Sequence, residues 1–192
     1  MTLGELLLEK RDGIIQSWIN CALAAYPADA SVIFARETDP FANPIGHGLR
    51  VGARGVIEAL MSGSAAEQAQ QHLYEIVKVR AVQQMPASQA VGFVFQLKDA
   101  VRSAIGEAAT SPELASELRE LDGRIDQLAL ATFDAYTRCR EQVSELRINE
   151  VKRSVSWVVD RMNQRVLGRG SQPDGDATQA DEDVNVRRED VR

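Results

Sequence analysis

Two segments of the chain decide its fold: DPFANPIGHGLR at residues 39–50 and VRAVQQMPASQAVGFVFQLK at residues 79–98. Each carries a proline, Pro44 or Pro86, at a point where one helical pattern stops and the next begins. The residue before a proline is pushed out of the helical region, whereas proline itself is accepted in the first turn of a helix. Asn43 is also a favourable capping residue for a helix that starts beside it. The two segments therefore predict two helix junctions.

Apolar residues recur at helical spacing through most of the chain. The helix expected after Pro86, which extends to about residue 109, is apolar around most of its circumference. A helix with that pattern is buried on several sides, so it is predicted to dominate the core. Phe41 is expected to anchor the loop before Pro44 on that core. The predicted fold class is all-α, and the residues assigned to its core scaffold are Trp18, Pro44, Pro86, Phe93 and Phe95.

The last helix is predicted to be very long. No proline follows Pro112 before residue 167, and Gly123 is the only glycine in that stretch. Two apolar heptad stripes follow each other in different phase, which indicates a break within residues 140–149. The break predicts either a kink or a helix face that changes from the domain core to another partner. The residues assigned to this dimerisation and signalling helix are Leu118, Leu121, Ile125, Leu128, Val151, Val155, Val158 and Met162.

The predicted organisation is one helical domain, residues 1–167, followed by an acidic tail, residues 168–192. The tail has almost no apolar residues and is expected to be disordered. The net charge of -6 argues against binding of nucleic acid, which needs a basic surface. No stretch has the pattern of a signal peptide or of a membrane span. A cytoplasmic protein that is not embedded in a membrane is therefore expected.

The sequence contains no recognisable set of catalytic or metal-binding residues, and the chain is predicted not to be an enzyme. The two histidines, His47 and His72, lack the neighbours that would complete a hydrolytic triad. The Glu-x-x-His pattern of di-iron helices is absent. A haem needs an axial ligand that projects into an apolar pocket, and the helix after Pro86 offers no His or Cys. Cys21 and Cys139 are expected to be small buried hydrophobes rather than redox sensors, and no cofactor is predicted.

The polar residues near the first junction allow two interpretations. Arg50 and Arg54 share one helix face, and Lys78 and Arg80 lie close together on the next helix. With Asn43, these residues could form an anion-binding pocket. In the other interpretation, the arginines pair with acids such as Glu58 and Asp39. The residues assigned to a candidate ligand or partner loop are Asp39, Phe41, Asn43, His47, Arg50 and Arg54.

The two opening segments, together with YTRCRE at 136–141, LRINEVK at 146–152 and VSW at 155–157, resemble a known family. It is the N-terminal domain family of the RsbT co-antagonist RsbRD proteins, which act in bacterial stress signalling. The resemblance implies a non-haem, globin-like helical sensor domain that forms dimers. In RsbR-type proteins its long final helix leads into a STAS output domain. Residues 168–192 do not resemble such a domain, so a stand-alone sensor or adaptor without stressosome assembly is expected.

The predicted function is therefore that of a non-enzymatic sensory or regulatory domain. It is expected to dimerise through its long helices and to transmit a signal to a protein partner, either a signalling or a redox protein. Binding of a ligand or partner near the first junction would shift the helix packing. Two alternatives stay open at this point. One is a globin-like protein that binds haem or another small cofactor, and the other is an adaptor for a membrane redox complex.

Overall fold

The computed structural model describes residues 2–62 and 66–169, and no strand occurs in these ranges. The predicted all-α fold class is confirmed. From residue 170 onward, the predicted acidic tail lies outside the described residues. The helices, in chain order, are α1 (Leu3–Glu9), α2 (Arg11–Leu23), α3 (Ala28–Arg36), α4 (Pro44–Ser62), α5 (Ala66–Val82), α6 (Ala87–Gly92), α7 (Gln96–Ile105), a 3₁₀ turn (Gly106–Thr110) and α8 (Ala115–Arg169).

Both predicted proline junctions are present. Asn43 caps α4, because its side-chain oxygen accepts the N–H of Gly46 at 2.8 Å, and the helix begins at Pro44. Pro86 directly precedes α6. Both proline rings are exposed, so their assignment to the core has to be corrected. They set the starts of helices, for which the fixed φ of proline is sufficient.

One predicted helix is two helices. The stretch expected to run unbroken from Pro86 to about residue 109 is divided into α6 and α7. The indole Nε1 of Trp18 donates a hydrogen bond to the carbonyl of Phe93 at 2.6 Å. The N–H of Leu97 bonds to the carbonyl of Val94 at 3.2 Å rather than to that of Phe93, which an α-helix would use. The buried indole thus takes the acceptor that a continuous helix needs.

This break separates the two phenylalanines that were predicted for the core. Phe93 is buried, and its ring stacks on Trp18 with centroids 5.6 Å apart. Phe95 is 45 % exposed, so its assignment to the core is wrong. The turn after α6 carries its ring to the surface, where the Lys98 ammonium lies 6.0 Å from the ring centroid. Trp18 lies in the core, as predicted.

The first part of α8 is built into the core. The four apolar residues of its first heptad stripe are buried within the chain. The gap where α8 meets α4 and α7 has a volume of only about 10 Å³, so the side chains around it are close-packed. The place of these residues in a dimer interface has to be corrected, because other helices of the same chain already cover them. They are Leu118, Leu121, Ile125 and Leu128.

The chain divides into two compact units within α8. The first unit ends at Arg147, and the second begins at Ile148. In the second unit every described side chain, over residues 148–164, is exposed. Burial in the core thus ends within the predicted break at residues 140–149, and whether the second heptad stripe meets another partner stays a prediction. The predicted domain end at residue 167 stays a prediction. None of the helices in the described ranges combines the length and the apolar character needed to cross a bilayer.

Candidate functional site

The loop between α3 and α4 is held by one buried amide. Asn43 is 1 % exposed, and its Nδ2 donates to the carbonyls of Phe34 at 2.9 Å and Glu37 at 2.7 Å. Its Oδ1 accepts the N–H of Gly46. A Cβ on Gly46 would lie 2.2 Å from the Asn43 Nδ2 and 2.3 Å from the Phe34 carbonyl oxygen. Asn43 therefore joins the end of α3 to the start of α4 and leaves no donor for an anion.

Arg50 supports the same junction from α4. Its Nη1 donates to the carbonyl of Phe34 at 3.2 Å, and its Nη2 donates to the carbonyl of Glu37 at 2.7 Å. The carboxyl-terminal end of a helix presents unsatisfied carbonyls and a partial negative charge. The Arg50 guanidinium supplies hydrogen-bond donors to the carbonyls at the end of α3 and places a positive charge beside them. Its role is to fasten two helices together.

The acids expected to pair with the arginines have other partners. Asp39 accepts the N–H of Phe41 at 3.1 Å within the loop. Glu58 lies 4.0 Å from the Arg11 guanidinium. Neither the predicted ion pairs nor the predicted anion pocket forms among the described residues.

Four members of the predicted loop set, Asp39 among them, are exposed to solvent. Phe41 is 95 % exposed, and His47 and Arg54 are exposed as well. The expectation that Phe41 anchors the loop on the core is wrong, because Asn43 and Arg50 already hold that loop by hydrogen bonds. The structure therefore separates the set into an internal pair that fixes the backbone and an external aromatic side chain.

The interior does not fit a haem at its aromatic centre. The gap bounded by Trp18, Leu49 and Phe93 has no space for a water molecule. His72 is half-buried, and its ring fills the space beside Gly55, where a Cβ would lie 2.2 Å from the His72 Nε2. A haem requires a ligand that projects into an open apolar pocket. The packing around His72 does not provide one.

A buried arginine on α5 has a role that the sequence did not predict, because it was considered only as a possible member of an anion-binding pocket. Arg80 is 0 % exposed. Its Nη1 donates to the carbonyls of Ala90 at 3.0 Å and Gln89 at 3.3 Å, and its Nη2 donates to the carbonyl of Ala22 at 2.8 Å. The only available signal was its place on the apolar side of α5, beside Leu73, Ile76 and Val77. An arginine at a core position predicts buried acceptors, but not which ones.

The surroundings of Arg80 explain how a buried cation persists without a carboxylate. Burial lowers the pKa of its guanidinium, and Tyr26 acts in the opposite direction. The carbonyls that it binds lie at the carboxyl-terminal ends of α2 and α6, where the helix dipole favours a cation. The guanidinium carbon lies 4.3 Å from the ring centroid of Phe93 and 5.5 Å from that of Tyr26, which adds cation–π attraction. Arg80 therefore holds two helix ends together.

The first part of α8 uses the same type of contact. The Arg124 Nη2 donates to the carbonyl of Leu60 at 2.9 Å, near the end of α4. The Arg140 Nη1 donates to the carbonyl of Ala81 at 3.2 Å, near the end of α5. The hydroxyl of Tyr136 donates to the carbonyl of Met85, just beyond α5. The ends of α4 and α5 are thus fixed to α8.

Two charged pairs fasten α7 to α8. The Lys98 ammonium lies 2.5 Å from the Asp126 carboxylate. The Arg102 guanidinium binds the Asp122 carboxylate through two hydrogen bonds, and this bonding raises the pKa of Arg102. Partly buried bidentate pairs set the position of two helices more firmly than exposed single contacts do. The N–H of Leu3 in α1 also donates to the Glu117 carboxylate at 2.9 Å, so the described contacts of α8 involve α1, α4, α5 and α7.

An open cleft lies between the carboxyl-terminal part of α2 and the α6–α7 segment. It has a volume of about 350 Å³, which is within the range of small-molecule sites. None of its lining residues is charged. They are Cys21, Ala24, Ala25, Ser88, Gln89, Gly92, Phe93 and Gln96. Both thiols were expected to be buried. Cys139 is buried, whereas Cys21 is half-buried at this cleft.

The second unit carries the other half of the predicted signalling set. Its exposed apolar residues include a heptad stripe, called the α8 stripe below, which consists of Ile148, Val151, Val155, Val158 and Met162. On another face of the same segment, the Arg161 guanidinium lies 5.1 Å from the Trp157 ring centroid. No described side chain of the second unit, over residues 148–164, covers the α8 stripe.

Within residues 2–62 and 66–169, no group of His, Cys, Asp and Glu side chains is placed to hold a metal ion. The polar groups instead join helix ends in an all-helical arrangement. The family model of the RsbT co-antagonist protein rsbRD N-terminal domain matches residues 12–151, most of the chain. The chain belongs to this family, as predicted, and is a domain of the regulatory signalling type. No curated protein and no solved structure matches the chain, so the globin-like arrangement stays a prediction.

Proposed function

We propose that the chain is a non-enzymatic sensory domain that dimerises through the α8 stripe and passes a signal along α8 to a protein partner. The observation that carries the proposal is the stripe, five exposed apolar side chains at heptad spacing. A regular apolar seam on a helix is buried when a second helix packs on it. A second copy of the chain offers a matching seam by two-fold symmetry.

The way in which α8 is held in the first unit supports the proposed signal transfer. Its contacts with the ends of α4 and α5 run through Arg124, Tyr136 and Arg140. A change in the position of either helix alters these hydrogen bonds and so the position of α8. Small shifts of packed helices are a common route of signal transfer in proteins. The seam used for dimerisation is a continuation of the helix that receives the shift.

Disulfide cross-linking tests whether the α8 stripe is the dimer face. Val155→Cys and Val158→Cys, each in a Cys21→Ser background, are expected to form cross-linked dimers under mild oxidation, because both positions lie on the seam. Ser156→Cys and Asp160→Cys are the matched controls, since they lie on the same exposed helix but off the seam. Equal cross-linking of seam and control positions would show that the seam does not direct pairing.

An adaptor that docks on another protein is the second candidate, and Phe41 is the observation that favours it. A large aromatic side chain on a loop fixed by Asn43 and Arg50 is a suitable anchor for a protein interface. The partner would be a signalling protein or, as considered above, a component of a membrane redox complex. A protein that co-purifies with the wild type is expected to be lost with Phe41→Ser and kept with Leu8→Ser, which changes another exposed apolar residue. A cytoplasmic location stays an expectation.

A further inference from the structure

The cleft between α2 and α6 combines space, neutrality and free hydrogen-bonding groups. Its volume of about 350 Å³ accommodates a small organic molecule. The side chains of Ser88, Gln89 and Gln96 line it, and none of the three is engaged by another described residue. Ala24, Ala25 and Gly92 provide apolar lining, whereas the Phe93 ring is covered by Trp18 and Arg80. An occupant of this cleft therefore needs an apolar part, for which a flat ring is suitable against small side chains, and it needs donors and acceptors for hydroxyl and amide groups.

The absence of charge selects among ligands. No lining residue carries a formal charge, although 26 % of the chain is Asp, Glu, Lys or Arg. An anion or a cation would lose hydration without gaining a partner of opposite charge. Arg80 lies close by, but its guanidinium is already directed at backbone carbonyls of α2 and α6. The chemistry thus favours an uncharged ligand.

Arg80 connects the two walls of the cleft. It binds Ala22, next in sequence to the lining residue Cys21, and Ala90, next in sequence to the lining residue Gln89. A molecule that enters between α2 and α6 changes the distance between these two carbonyls. The Arg80 guanidinium moves with them, because it binds both. The residue after it in the chain is Ala81, whose carbonyl accepts the Arg140 hydrogen bond from α8. The cleft and α8 are therefore joined through the Arg80 hydrogen bonds, the backbone between Arg80 and Ala81, and the Arg140 hydrogen bond.

We propose that this cleft binds a small uncharged molecule bearing a ring and an amide or hydroxyl group, and that Arg80 and Arg140 transmit its binding to α8. The proposal deepens the sensory function proposed above and rests on it for its biological meaning. The binding step itself does not depend on dimerisation. Arg80 and Arg140 act here as positioning residues, because neither lines the cleft.

Benzamide is a suitable probe, since it is uncharged and carries a ring and a primary amide. We expect titration of the ¹⁵N-labelled full chain with benzamide to produce saturable shifts in the backbone amide signals of Cys21, Gly92 and Gln96. A Cβ on Gly92 meets no atom within 4 Å, so Gly92→Leu is expected to fold and to fill the cleft. It should weaken benzamide binding by at least about tenfold, because the new side chain takes the ligand's space.

Gly13→Leu is the matched control, because a Cβ there also meets no atom within 4 Å and Gly13 does not line the cleft. It is expected to bind benzamide like the wild type. No saturable shift in the wild type, or equal binding by Gly92→Leu, would overturn the site. Transmission predicts a second set of shifts around Tyr136 that Arg140→Gln reduces while the shifts at the cleft persist. Shifts confined to the cleft in the wild type would overturn the transmission.

Discussion

Replacement of Arg80 by methionine tests the balance of forces at the centre of the domain. Methionine keeps a long apolar stem on α5 and removes the guanidinium. The carbonyls of Ala22 and Ala90 then lose their donor in a place that water does not reach, since Arg80 is fully buried. The attraction between the guanidinium and the Phe93 ring is lost as well.

The expected loss follows from two opposing contributions. A hydrogen bond to a charged group contributes roughly 1.5–3 kcal/mol, and a buried acceptor left without a donor costs roughly 1–3 kcal/mol. The substitution also removes a cation whose burial is unfavourable, so part of this loss is recovered. Because the two shortest contacts are 2.8 and 3.0 Å, we expect the hydrogen bonds to dominate. Methionine also removes the buried Arg80 Nε, which has no hydrogen-bond partner, so the free energy of unfolding should fall by about 2–4 kcal/mol.

Urea unfolding followed by circular dichroism measures this change. The midpoint should fall while the dependence on urea concentration stays the same, because the surface exposed on unfolding is little altered. Lys78→Met is the matched control on the same helix. Its ammonium is exposed and lies 4.0 Å from Glu75, so a change within about 0.5 kcal/mol is expected. Wild-type or higher stability of Arg80→Met would refute the reasoning, since the cost of burying the cation would then be the larger contribution.

Two further pairs of substitutions test the fold by the same urea assay. Gly46→Ala should destabilise by about 1–3 kcal/mol, because its Cβ overlaps the Asn43 side chain; Gly48→Ala, where a Cβ meets nothing within 4 Å, should stabilise by about 0.5–1 kcal/mol. A similar effect at both glycines would contradict the close approach at residue 46. Phe93→Ala should cost about 3–5 kcal/mol, whereas Phe95→Ala should cost less than about 1 kcal/mol. Equal losses for the two phenylalanines would contradict the helix break between them.

Local signals in the sequence were sufficient for the helix junctions. Asn43 and Pro44 act on neighbouring residues, so their capping role could be predicted from their order in the chain. The break after α6 could not, because it depends on the Trp18 indole, which is 75 residues away from Phe93 in sequence. Periodicity identifies an apolar face but does not say whether a long-range contact interrupts the helix that carries it.

The candidate site was harder to predict for a related reason. Heptad spacing is the same whether a stripe is covered by the same chain, as at Leu121 and Ile125, or left exposed, as at Val155. Phe41 was expected to be buried because it is aromatic. The hydrogen bonds of Asn43 already hold the loop in place, so the loop does not require an apolar anchor. Arg80 lies on an apolar helix face, and only the three-dimensional arrangement brings the ends of two other helices to its guanidinium.

Dimerisation through the α8 stripe is the central claim, and sedimentation equilibrium of the full chain tests it most directly. We expect the wild type to be a dimer and Val151→Glu/Val158→Glu to be a monomer of unchanged helical content. The control Asn149→Glu/Ser156→Glu adds the same charge off the seam and should remain a dimer. A wild type that stays monomeric at high concentration, or a stripe variant that stays dimeric, would contradict the account.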